Sequence, residues 1–359
     1  MRAWGVLERA HMSSHRTARL AHAARVGCVL AMVAGALVGS SAPSAATGPR
    51  SGSVAAPTAA KPTIKVLWRE QFNGPAGTPA QIKTAGVSDA PGQWAVAEVN
   101  ALGGGNYERQ YYTDGPVEYT ATGEVAHRAL ELDGAGKLVI NARRTSAASG
   151  AKPSTIPQTS CGYGPCEFLS GRINSLGKLG FKYGLIEARI MIPKEAGTWP
   201  AFWMMGANQP TVGWPKCGEI DIMEASATQR AYAIFGSLHS FPDNGFGVTS
   251  GSFYPAKLYG GFHTYGFYWD KSRMEWQFDG KPFFKVTKSE VTGSKWAVNG
   301  ARRSWPFDQE MFVILNLAMG GVLGGDSQRR VDPATSKASM TVDWIRFSSV
   351  NGVGTVIKH

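Results

Sequence analysis

From Ile64 onward the chain is written in short apolar–polar runs of period two, punctuated by Gly, Pro, Asn and Asp. Lys65–Trp68, Lys137–Ala142, Leu185–Ile192, Ala231–Leu238, Thr264–Trp269, Met274–Phe278, Met311–Leu317 and Thr341–Phe347 all have strand length. In Leu185–Ile192, Ile186, Ala188, Ile190 and Ile192 share one face. Glu187 and Arg189 lie on the other, where they can pair or reach a polar cleft, and Glu187 reads as structural. Asp279-Gly280, between two such runs, is a hairpin signal. Many short strands without intervening amphipathic helices predict an all-β fold, an antiparallel sandwich or jelly roll. No internal repeat and no second folded domain is expected: residues 64–350 form one domain, and 351–359 read as a tail.

One stretch departs from the alternation. Gly218–Ala225 reads Gly-Glu-Ile-Asp-Ile-Met-Glu-Ala. Strict alternation puts Glu219 and Asp221 on one face, but then Met223 joins them and Glu224 turns away. An extra residue at Ile222–Met223, forming a β-bulge, returns Glu224 to the acidic face. Three acids on one strand face repel one another and push one pKa upward. Such an arrangement suits glycoside hydrolysis, where one carboxylic acid donates a proton while a second carboxylate attacks. An isolated Glu-x-Asp-x-x-Glu match reads more simply as a solvated edge strand. The neighbours change that balance: Gly197–Gly206 and Trp214–Gly218 bring an unusual aromatic density beside the acids.

Composition narrows the field further. Gly at 44 and 11 each of Trp and Tyr favour a turn-rich, aromatic-rich β protein. The net charge is +11, but residues 1–46 hold five Arg against one Glu, which leaves +7 for the rest. No Lys/Arg run or nucleic-acid motif accompanies it, so the charge fits solubility or attraction to an anionic cell wall. Arg16, Arg19 and Arg25 precede the apolar run Val26–Val38 and the small-residue stretch Ser40–Ala46. Thirteen apolar residues are too few to span a bilayer of roughly 30 Å as a helix, so residues 1–46 read as a cleaved export signal, with Met12 an alternative start. The expected location is extracellular, with no membrane attachment after cleavage. Residues 47–63, small, polar and Pro-rich, read as a disordered linker.

Export permits a disulfide between Cys161 and Cys166, which flank Gly-Tyr-Gly-Pro. Cys217 is then a buried, inert thiol. No Cys or His pair falls at zinc-site spacing.

The acid stretch and its aromatic surroundings resemble glycoside hydrolase family 16, in its laminarinase-like branch of endo-1,3-β-glucanases. The likeness continues in order through Trp68–Gly74, Asn106–Thr113, Ser170–Asn174, Phe262–Trp269, Trp305–Asp308, Ile314–Ala318 and Val342–Arg346. It implies a β-jelly-roll of two curved antiparallel sheets, with an open cleft on the concave face. It also implies internal cleavage of a β-glucan with retention of configuration. Mapped onto this chain, Glu219 is the nucleophile, Glu224 the general acid/base, and Asp221 the residue between that tunes them. Retention needs the carboxyls ~5–5.5 Å apart, while Cα atoms five residues along a strand stand roughly 13–16 Å apart. The side chains, the bulge and sheet curvature must close that gap.

Sugars stack on aromatic faces, which makes Trp199, Trp203 and Trp214 candidates, each with core packing as the alternative. His239 is expected beside the acid strand, and Asn106 and Arg172 are candidates for more distant glucose hydroxyls. No cofactor is expected for catalysis. The resemblance implies a structural calcium at Asp343, although Gln71 replaces a carboxylate that relatives carry in the opening strand. Gly321–Gly325 lacks the tryptophan that relatives usually place there. The expected partner is a polysaccharide, bound by a monomer. A mixed 1,3-1,4-β-glucan or a galactan is the nearest alternative substrate, and a non-catalytic β-glucan-binding protein the alternative from another class.

Overall fold

The computed structural model describes residues 61–78, 94–96, 106–145, 161, 166–229, 232–242 and 249–359. The expected signal segment and most of the expected linker lie outside the described residues. So does most of the loop after Phe241.

Two stacked sheets hold nearly all of the described chain. The first runs in the order Thr249–Phe253, Ile234–His239, Glu219–Ala225, Thr198–Gly206, Met311–Met319, Leu179–Lys182 and Thr355–Lys358, with Arg172–Asn174 also paired to Met311–Met319. The second runs Lys281–Thr287, Arg273–Phe278, His263–Trp269, Gly184–Met191, Lys337–Val350, Leu138–Arg144, Phe168–Ser170 and Gln110–Tyr112. Ile64–Glu70 pairs alongside Lys337–Val350. Pairing is antiparallel throughout the two central regions; Gln110–Tyr112 on Phe168–Ser170 is parallel. The all-β class expected from the strand pattern, and the β-jelly-roll implied by the family resemblance, are both found. Residues 351–359 are not a loose tail: after a turn at Asn351–Gly354, Thr355–Lys358 adds an edge strand along Leu179–Lys182. Four residues after a Gly-x-Gly turn carry too little period-two signal to be read as a strand.

The core lies between the sheets. Ile220, Ile222, Met223, Leu238, Met204 and Leu315 from the first sheet pack with Phe267, Trp269, Trp276 and Ile345 from the second. Each fully buried aliphatic or aromatic side chain stabilises by about 1.5–3 kcal/mol, so the inward alternation fixes which face every strand turns outward. On the first sheet that outward face carries the acids.

Candidate active site

The bulge expected at Ile222–Met223 is present. Against Ile234–His239, Asp221 pairs with Ser237 and Glu224 with Phe235, so three steps on the acid strand match two on its neighbour. Against Thr198–Gly206 the break falls between Phe202, opposite Met223, and Trp203, opposite Asp221. Ile222 and Met223 are thereby both buried in the core. The physical reason is direct: two consecutive apolar side chains can both face inward only where the strand takes an extra residue. Glu219, Asp221 and Glu224 are left together on the outward face.

Neighbouring strands build the walls. Trp199 Nε1 donates to Glu224 Oε1 at 2.9 Å, and Trp214 Nε1 donates to Glu219 Oε2 at 2.6 Å. His239 pairs with Glu219 in register, and its Nε2 lies 3.4 Å from Asp221 Oδ2. Its ring also packs against Trp214, with centroids 5.8 Å apart. Trp199 is nearly buried, so its indole serves as a donor to Glu224 more than as a sugar platform. Trp214 is 42% exposed and offers both a ring face and the N–H on Glu219.

Burial governs the charge state of the three acids. It pushes Glu224 up to about 7, with the Glu219 and Glu108 charges adding to it and the Trp199 N–H opposing. Burial also raises Glu219, with the Asp221 charge next, and raises Asp221, with the Glu224 charge next. Glu219 and Asp221 hydrogen-bond each other. The pair therefore holds a proton well above the ordinary carboxylate range. Glu219, Asp221 and His239 place one ligand atom each within 4.8 Å of one another, the one such His/Cys/Asp/Glu group among the described residues.

A second polar group lies across Met311–Met319. Trp203 Nε1 donates to Asn316 Oδ1 at 2.7 Å, and Asn316 Nδ2 donates to the Tyr112 hydroxyl at 3.1 Å. That hydroxyl donates to Glu108 Oε2 at 3.2 Å, and Gln110 Nε2 donates to the same oxygen at 2.6 Å. Asn106 Nδ2 reaches Glu108 Oε1 at 3.4 Å. The Arg172 guanidinium lies 4.8 Å over the Trp203 ring and bears electrostatically on Glu108. Burial raises Glu108 above its ordinary range. The candidates Trp203, Arg172 and Asn106 thus belong to one network beside the acids.

Glu108, Gln110, Tyr112 and Asn316 were not among the residues the sequence reading singled out as candidates. Two signals could have found them. Asn316 is a polar residue inside Met-Phe-Val-Ile-Leu-Asn-Leu-Ala-Met, and Glu108, Gln110 and Tyr112 recur at every second position.

Glycosyl hydrolases family 16 is the family whose profile matches residues 126–346. The chain belongs to that family. The family 16 enzyme is 30% identical over 292 residues to the "Beta-glucanase" of Rhodothermus marinus, covering 79% of this chain and 85% of the relative. It is 32% identical over 288 residues to the "Glucan endo-1,3-beta-glucosidase" of Cryptopygus antarcticus, covering 78% and 90%. Among solved structures it resembles the catalytic domain of an endo-1,3-beta-glucanase (laminarinase) from Thermotoga petrophila. There the TM-score is 0.62 at 28% identity, over 80% of this chain and 99% of that one. The chain is accordingly a glycoside hydrolase, as the acid strand and its resemblance led one to expect.

Asp343 stands apart from this site, on Lys337–Val350 of the second sheet. Its carboxylate is bonded to the Arg189 guanidinium. Glu70, in the opening strand, accepts the N–H groups of Gln71 and Phe72 at 2.8 Å each and the Trp94 indole at 3.1 Å. Calcium takes six to eight oxygen ligands. A carboxylate held by a guanidinium and another spent on N–H donors do not fit that demand. A cavity of about 450 Å³ on the second sheet, lined by Met191–Glu195 and Lys337–Ser339, holds none of Glu219, Asp221 and Glu224. Cys161 and Cys166 are disulfide-bonded and Cys217 is a buried free thiol.

Proposed function

We propose that this family 16 hydrolase is a secreted, retaining endo-β-glucanase that cuts internal β-1,3-glucosidic bonds by double displacement. The observation that carries the reading is the bulge, which sets Glu224 on the same outward face as Glu219 and Asp221. Retention requires two carboxyls flanking one glycosidic bond ~5–5.5 Å apart, and only with the bulge do Glu219 and Glu224 share a strand face from which both can reach the same bond.

Glu224, neutral below about pH 7, is the general acid that protonates the departing sugar oxygen. Glu219 attacks the anomeric carbon. The Trp214 N–H favours its ionised form, and attack requires that the proton it shares with Asp221 move onto Asp221. Water then hydrolyses the glycosyl-enzyme, with Glu224 now acting as base. Trp203 and Trp214 supply ring faces for sugars, while Asn316, Glu108 and Arg172 supply polar partners. His239, close to Asp221, favours the ionised forms of all three acids. Export is supported by the basic, apolar and small-residue order of residues 16–46.

The test is digestion of laminarin, curdlan, a mixed 1,3-1,4-β-glucan and a galactan, with products resolved by chain length and their anomeric form followed by NMR. Internal fragments of β-anomeric configuration from the 1,3-glucans are expected. Binding of laminarin without release of reducing sugar would sink the hydrolytic reading of the site, and faster cleavage of another polymer would reassign the linkage.

A further inference from the structure

Asp221 is the last acid-face residue before the bulge, and its backbone carbonyl is met from the opposite sheet. Trp276 Nε1 donates to Asp221 O at 2.7 Å. Trp276 is fully buried on Arg273–Phe278, edge-on to Phe267 at 4.8 Å and tilted against Phe284 at 4.8 Å. It reaches the acid strand because the intervening position is glycine. Gly236 lies between Phe235 and Ser237, the partners of Glu224 and Asp221, and so faces the bulge from the next strand. A Cβ there would sit 2.3 Å from Trp276 Cδ1 and 2.5 Å from Nε1. Gly251, paired with Gly236, does the same for Phe284, where a Cβ would fall at 2.4 Å.

A bulge interrupts the strand ladder and leaves backbone groups in need of other partners. Without an outside donor the acid strand could shift its extra residue or return to strict alternation, which would turn Glu224 away from Glu219. The Trp276 indole opposes that shift by holding the carbonyl at the step where alternation breaks. We propose that Trp276 is a positioning residue for hydrolysis: through the Asp221 carbonyl it fixes the bulge, and through the bulge the placement of Glu224 relative to Glu219. Sugar-contacting groups such as Trp203 and Trp214 sit on other elements, so the effect falls on turnover and not on binding. This inference rests on the function proposed above.

The experiment compares Trp276→Phe, which keeps a ring and removes the N–H, with Phe267→Leu, which trims the same cluster without touching that hydrogen bond. On laminarin, Trp276→Phe is expected to lower kcat about 10²-fold, the scale of a misplaced reacting group. KM should be little changed, and the alkaline limb of the pH profile, set by Glu224, should move. Phe267→Leu should lower Tm and leave kcat and pH profile alone. Gly236→Ala, which keeps the indole but presses it aside, should reproduce the kcat loss and decides the matter if Trp276→Phe does not fold. Equal Tm losses with wild-type kcat and pH profile in every variant would overturn the positioning role. A wild-type protein inactive on all β-1,3-glucans would instead overturn the functional reading beneath it.

Discussion

Both sheets of this hydrolase carry carboxylates on their outward faces, and the two faces treat them oppositely. On the second sheet, Glu187 accepts Arg346 Nε at 3.0 Å and Nη2 at 2.8 Å. Asp343 is bonded to Arg189, and Arg143 of the same sheet takes Glu118 from the separate two-stranded ribbon Pro116–Tyr119/Val125–Arg128. The Arg143 partner holds Glu118 below its ordinary range despite the cost of burial. On the first sheet, Glu219 and Glu224 are met by neutral indole N–H groups, and burial leaves all three acids raised. A guanidinium makes a carboxylate an inert structural anion. An indole fixes its position while leaving its proton available near neutral pH. The difference separates acids that hold strands together from acids suited to move protons.

Removing the site acids should break this contrast most sharply. Glu224→Gln is expected to lower kcat on laminarin by about 10²–10⁴-fold, and Glu219→Gln by at least as much, measured as initial rates of reducing-sugar release. Retention of more than a tenth of wild-type activity by either would dissolve the contrast.

The pH response comes next. Activity should decline as pH rises through about 7, where Glu224 loses its proton. Trp199 N–H favours the ionised form, so Trp199→Phe should raise the Glu224 pKa further and shift that limb to higher pH, as read from kcat/KM across pH. A shift to lower pH would contradict the assignment of Glu224 as the acid.

Stability should run against activity at the same residue. Glu224 has a folded pKa raised above its unfolded value, so its favourable contribution is complete below about pH 4.5 and disappears as pH rises through about 7. Glu224→Gln should therefore raise Tm above wild type at pH 8, by about 2–4 °C per kcal/mol of relieved cost. The gain should vanish at pH 4.5. Thermal unfolding at the two pH values checks the sign.

Glu187 provides the opposite case. Glu187→Gln should leave kcat near wild type and cost about 1–3 kcal/mol of stability, because a hydrogen-bonded charge pair is lost and Arg346 is left without its carboxylate. A large kcat loss at unchanged stability would move Glu187 into the catalytic machinery. Smallest in its expected effect on turnover is the Cys161–Cys166 bond. Serine replacement of both should cost about 2 kcal/mol for so short a loop, visible in denaturant titration and not in kcat.

The bulge shows how far the chain could be read in one dimension. Ile222-Met223 demanded an extra inward residue, and Glu224 could not otherwise meet Glu219. Alternation in Leu185–Ile192 likewise placed Glu187 outward, although its cation is Arg346 on the neighbouring strand, in register with it, rather than Arg189. Arg189 takes Asp343 instead, which the family likeness had linked to calcium. Cross-strand pairing depends on register between segments more than 150 residues apart, and nothing local encodes it. Asn316 and Glu108 escaped notice for the same reason: each became a site residue only when Met311–Met319 was paired to Thr198–Gly206, one strand away from the acids, and the segment before Gln110 was brought up to it.

The sequence by itself determined the all-β class, the run of three acids, the break in alternation between them and the aromatic surroundings, because all of these are properties of neighbours along the chain. Tertiary structure alone decided which indole serves which carboxylate, which acids receive a guanidinium, and that Trp276 reaches Asp221 through the gap at Gly236. Those outcomes depend on how two sheets stack and register, and on the burial that follows. Burial, more than composition, sets the proton affinity of Glu224.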